Sequence, residues 1–125
     1  MTVRRGMPQK GPAHVLKAFG YSISGARVLL REEAARLEII LFVVAAALFF
    51  ASGVHPLHYL ALIGLFFFIL MVEAINTAIE YIVDRTSPEI SEFGKHTKDV
   101  ASFAVFCSLV IFCGYATTTL AVTLL

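Results

Sequence analysis

Charge is missing from two long stretches of this chain. Between Ile39 and Val72, and again from Val100 to Leu125, there is no Asp, Glu, Lys or Arg. A helix needs about 20 apolar residues to cross the hydrocarbon of a bilayer. The first stretch has 34, too many for one crossing, and it is broken by Ser52-Gly53-Val54-His55-Pro56. Gly and Pro at that spacing read as a turn. The pattern predicts three spans, at about residues 34–52, 57–83 and 98–119. Only 15% of the 125 residues are charged and 58% are hydrophobic. A water-soluble domain of this size must cover a large relative surface with polar groups. The composition therefore excludes a soluble enzyme, a disulfide-stapled secreted domain and a disordered tail. An all-α integral membrane protein is left.

The ends of the spans carry the charge. Seven of the ten Lys and Arg lie at or before the start of the first span, and Arg85, Lys95 and Lys98 lie around the segment joining the second to the third. The positive-inside rule puts both segments in the cytoplasm and the C-terminus outside. Residues 1–12 form a basic tail without the apolar core of a signal peptide; residues 13–125 form a single membrane domain. Within His14–Arg31, Val15, Leu16, Phe19, Ile23 and Ala26 recur at helical spacing among Lys17, Ser24, Arg27 and Arg31. That predicts an amphipathic helix lying in the membrane interface. A net charge of +1 without a dense basic cluster gives no footprint for nucleic acid. Cys107 and Cys113 lie six residues apart on one predicted helix, which places them on different faces, unable to bridge.

The chemistry concentrates in one segment. Glu73, Asn76, Glu80 and Asp84 are spaced by three, four and four residues, so they share one helix face. Ile75, Ile79 and Ile82 fall opposite. An ionised acid in hydrocarbon costs on the order of 3 kcal/mol even on the lenient insertion scale. The face therefore needs cations, a metal ion or another subunit. Asp84 is equally consistent with plain solvation at the membrane surface; Glu73, two turns deeper than Glu80, is not. Lys98 and Ser102 share a face at the start of the third span, with Asp99 beside them, and Glu32-Glu33 precede the first. Acids from two helices and a lysine from a third would meet at the cytoplasmic side. Carboxylate oxygens suit Mg²⁺, and a lysine suits phosphate. Two weaker patterns carry nothing. Gly94-Lys95-His96-Thr97 lacks the remainder of a P-loop. The pair His55-x-x-His58 lacks further ligands.

The stretch Val72-Glu73-Ala74-Ile75-Asn76-Thr77-Ala78-Ile79-Glu80, followed by Val83-Asp84-Arg85, resembles the signature of the small prokaryotic diacylglycerol kinases. Lys98-Asp99 with Ser102, Glu33-Ala34-Ala35 and Lys17-Ala18-Phe19-Gly20-Tyr21-Ser22 resemble further family segments. The similarity runs from about His14 to the end. It implies a homotrimeric helical bundle of interfacial helices and three spans per subunit, with composite sites between subunits. It also implies Mg²⁺- and ATP-dependent phosphorylation of a membrane lipid hydroxyl. By the resemblance, Glu73 is the general base, and Glu33 and Glu80 hold the metal. His14, Tyr21, Glu33, Glu80, Glu89, Ile90, Ser91, Lys98 and Asp99 contact ATP. His14, Ala18, Phe19, Gly20, Tyr21, Ser22, Glu73 and Ser102 line the lipid site, and Asn76 and Asp84 support the polar face. The chain departs from the pattern in three places. His14 stands where an arginine is usual, and Phe19 where a small alanine can occur. The sequence is also one residue shorter around Ala35–Glu38, leaving the carry-over of Arg36 and Glu38 open.

These residues predict a lipid kinase that converts diacylglycerol to phosphatidic acid. The sister branch, undecaprenol kinase, shares the stripe. A small proton-coupled exporter would also use a membrane glutamate, but has no need of the second Glu, the Asn and Lys98-Asp99. A non-enzymatic assembly protein would use its acids to pair partner helices.

Overall fold

The computed structural model describes residues 11–125. The basic tail with Arg4, Arg5 and Lys10 lies outside the described residues. Four helices follow one another: α1 (Pro12–Leu29), α2 (Glu33–Ser52), α3 (Leu57–Thr86) and α4 (Glu92–Leu124). The last three are each long and apolar enough to cross a membrane. The chain is an all-helical membrane protein.

Local signals explain the boundaries. Gly53 closes α2 in the left-handed conformation, at φ 69°, which glycine adopts without steric cost. Its N–H donates to the Phe50 carbonyl, and that of Val54 to the Phe49 carbonyl. Pro56, whose fixed φ suits a helix start, leads into α3 at once. The turn is so short that α2 and α3 are antiparallel neighbours. At the other end, the Ser91 Oγ accepts a hydrogen bond from the Gly94 N–H at 3.0 Å and caps α4. The Ser87 hydroxyl lies 3.0 Å from that of Ser91, tying the end of α3 to the start of α4.

Helix α4 thus begins six residues before the predicted third span and extends five beyond it, and α3 runs three residues past the predicted 83. The charge pattern marks where hydrocarbon ends, whereas the caps mark where the helix ends. Helix α1 starts at Pro12 and stops at Leu29, slightly earlier at both ends than predicted.

The main contacts join α3 to α4, α2 to α3 and α2 to α4. Their core is Ala45, Phe49, Val54, Leu62, Ile69, Phe112 and Ala116. Phe42 stacks on Phe66 at 4.4 Å between ring centres, and Phe49 meets Tyr59 edge-on at 5.7 Å. Adjacent aromatics split by face: Phe49 is fully buried and Phe50 is 84% exposed. Ala45 permits the close approach expected of small residues in membrane bundles. Cys107 and Cys113 are both free. No residue of α1 is buried, and Val15, Leu16 and Phe19 stand out from the bundle.

Candidate active site

The acidic face of α3 turns inward, as its spacing predicts. Glu73 is 4% exposed, Asn76 and Thr77 are buried beside it, and Glu80 is half-buried. Ile75 and Ile82 on the opposite side are exposed. At 1.5 Å per residue, Glu73 lies about 24 Å from the start of α3 and Glu80 about 35 Å. Hydrocarbon is about 30 Å thick. A face beginning at one membrane boundary therefore places Glu73 inside the opposite boundary and Glu80 just beyond it. The stripe crosses from lipid into water.

Neighbouring helices supply its partners. Asn76 Nδ2 donates to Glu80 Oε1 at 3.3 Å. The Tyr81 hydroxyl donates to Glu32 Oε1 at 3.3 Å, linking α3 to the residue that precedes α2. From α4, the Lys98 Nζ forms an ion pair with Asp84, and the Glu80 carboxylate lies within range of the same ammonium. Asp99 turns the other way and pairs with Lys95 at 2.7 Å. Glu73, Asn76, Glu80, Asp84 and Lys98 are thus brought together within one chain.

Other predicted site residues are not. His14, Ala18, Phe19, Gly20, Tyr21 and Ser22 sit on α1, all exposed, with Tyr21 at 73%. Glu33, Glu89, Ile90 and Ser102 are exposed, and the Ser91 hydroxyl is engaged in capping. Among the described residues, no group of three or more His, Cys, Asp or Glu side chains forms a ready metal cage. The donor types nevertheless fit Mg²⁺, which takes one or two carboxylates and completes its shell with water and phosphate oxygens.

Sequence reasoning missed Glu38. It is 4% exposed, and it faces Glu73 across the α2–α3 contact. Its Oε2, like Asn76 Oδ1 and Thr77 Oγ1, is buried without a hydrogen-bond partner. The available signal was its position, the last charge before the uncharged run; the one-residue shortening around Ala35–Glu38 left its carry-over open and gave it no role.

The geometry describes a polar stripe that runs from a buried carboxylate, Glu73, to a partly exposed lysine, Lys98. A model of the prokaryotic diacylglycerol kinase family matches residues 20–120. The chain belongs to that family. A diacylglycerol kinase of Sinorhizobium is 48% identical over 102 residues, covering 82% of this chain and 74% of the relative. One from Pseudomonas aeruginosa is 36% identical, with 82% and 85% covered, and one from Escherichia coli is 32% identical, with 81% and 84% covered. The matched segment of this prokaryotic diacylglycerol kinase family member holds every residue of the α3 stripe together with Glu33, Lys98 and Asp99; His14, Ala18 and Phe19 precede it.

Proposed function

We propose that this chain is an ATP-dependent kinase that phosphorylates the hydroxyl of diacylglycerol to give phosphatidic acid at the cytoplasmic face of a bacterial inner membrane. The observation that carries the reading is a carboxylate, Glu73, buried at lipid depth on a stripe that continues into water, in a chain of this family. A lipid alcohol reaches Glu73 by lateral diffusion, and a nucleotide reaches Glu80 and Lys98 from water.

Phosphoryl transfer requires mainly in-line positioning and neutralisation of charge. Glu73 takes the hydroxyl proton as the lipid oxygen bonds to the γ-phosphorus. The bond from that phosphorus to the bridging oxygen breaks, ADP leaves with the electron pair, and the proton later passes to water. Lys98 faces the phosphates. Glu33 and Glu80 would hold Mg²⁺ on the triphosphate, where it would offset the negative charge. Tyr21, Asp99 and the Glu89–Ser91 segment complete the nucleotide contacts. Helix α1 lies in the interface with Val15, Leu16 and Phe19 in the lipid, beside Ser102 at the lipid entrance, and His14 replaces an arginine there.

The chain acts as a homotrimer. The exposed positions of Glu33 and α1 in the single chain are consistent with sites completed between subunits.

The test is purified protein in mixed micelles with Mg²⁺ and [γ-³²P]ATP, offered diacylglycerol and undecaprenol side by side. Label in phosphatidic acid, lost in Glu73→Gln, is expected. Label solely in undecaprenyl phosphate would transfer the site to the polyprenol branch. Absence of label, or undiminished label in the variant, would overturn the reading.

A further inference from the structure

The proposed reaction leaves one buried acid unused. Glu38 is as inaccessible as Glu73, and a membrane-depth acid costs on the order of 3 kcal/mol unless partnered. The two face each other from antiparallel helices. Counted at 1.5 Å per residue, Glu38 lies about 21 Å from the end of α2 at Ser52, and Glu73 about 24 Å from the start of α3. Both lengths are measured from the same turn, so the two carboxyls sit at one depth.

No cation among the described residues compensates the pair. Among the described residues, the ion pairs are Lys95 with Asp99 and Lys98 with Asp84, and Arg36, two residues from Glu38 and so on another face of α2, is exposed. Two carboxylates in contact in a low-dielectric site repel strongly. A proton between them converts that repulsion into a charge-assisted hydrogen bond, among the strongest a side chain makes. Glu38 Oε2, Asn76 Oδ1 and Thr77 Oγ1 remain unpartnered, so acceptors for an incoming hydroxyl remain on these two helices.

Resting on the kinase reading above, we propose that Glu38 is a positioning residue: its carboxyl hydrogen-bonds the Glu73 carboxyl through one shared proton and holds it in the orientation that receives the lipid hydroxyl. Glu38 stays out of the reaction itself. It adds a hold from α2 to a side chain that otherwise has neighbours of its own helix, Asn76 and Thr77, beside it, and it keeps the pair at a single negative charge.

The experiment compares wild type with Glu38→Gln, Glu38→Asp and Glu38→Leu in the micelle assay, alongside thermal unfolding in the same detergent. A glutamine amide donates the same hydrogen bond without a proton to share, so Glu38→Gln keeps most of the wild-type kcat. Glu38→Leu loses the bond, and kcat falls about 10- to 100-fold, as for other orienting partners, with KM for MgATP and for the lipid unchanged. Should Glu38→Leu fail to fold, the Gln and Asp variants decide. Asp keeps the carboxyl but withdraws it, so Gln active with Asp impaired supports the proposal, and the reverse overturns it.

Infrared difference spectra supply a readout independent of turnover. The carbonyl band of a protonated carboxyl is present in wild type and disappears in Glu38→Gln. Its persistence would overturn the proposal. So would Glu38→Leu within twofold of wild type, Gln falling as far as Leu, or a loss confined to the lipid KM. A wild type inactive on both lipids would instead overturn the kinase reading.

Discussion

Glu73 and Lys98 sit at opposite ends of one short polar path, and their environments predict opposite kinds of damage. Glu73 is buried and, among the described residues, without a cation, so Glu73→Gln keeps the shape and removes the base. Its kcat in the micelle assay is expected to fall by at least about 100-fold, the usual share of general base catalysis, with the unfolding midpoint unchanged or raised. Lys98 is partly exposed and held by Asp84. An exposed ion pair contributes little stability, so Lys98→Met should leave thermal unfolding in detergent nearly unmoved. It should raise KM for MgATP on the order of tenfold, as expected for a lost charged contact. A large stability loss in Lys98→Met would show that the lysine serves α3–α4 packing instead of the nucleotide. The three-four-four spacing made Glu73, Asn76, Glu80 and Asp84 legible as one face. Glu38 was illegible because a single acid at the edge of an apolar run has no periodicity, and its partner lies on another helix.

The joint between α3 and α4 governs how the helices hold this path together. Gly94 is buried against it, and a Cβ there would lie 3.1 Å from Ser91 Oγ and 3.4 Å from Val83 Cγ1. Gly94→Val brings a branched side chain into that space and pushes α4 from α3, so it should lower both the unfolding midpoint and activity. Ser91→Ala removes the cap from α4 and should cost about 1 kcal/mol of stability, read from thermal unfolding, with folding retained. The sequence made the turn at Gly53 and Pro56 plain, because both residues have fixed backbone uses. It left the start of α4 obscure. Glu92, Lys95 and Asp99 look like loop charges until Ser91 is seen capping the helix that carries them.

As a whole, one chain presents a surface that only lipid or other subunits can cover. Val43, Val44, Phe67, Phe103 and Val110 are all exposed, and an apolar groove of about 130 Å³ runs between α2 and α4 past Leu41, Leu48 and Phe112. Native mass measurement in detergent should find a species three times the 13.7 kDa chain; a monomer with full turnover would remove the trimer from the proposal. Fold class and span number were legible because hydrocarbon thickness and charge depletion constrain them directly. Assembly was not, since lipid-facing and subunit-facing side chains are equally apolar.

The turn at residues 53–56 also bears on how such a chain enters a bilayer. Helices α2 and α3 are joined closely enough to be inserted as one hairpin, with Glu38 and Glu73 already facing each other. Inserted singly, each helix would carry its acid past lipid tails at a cost of about 3 kcal/mol. Inserted together, each hides the other's polar group. The contact that prepares the site for chemistry thereby also eases its delivery to the membrane.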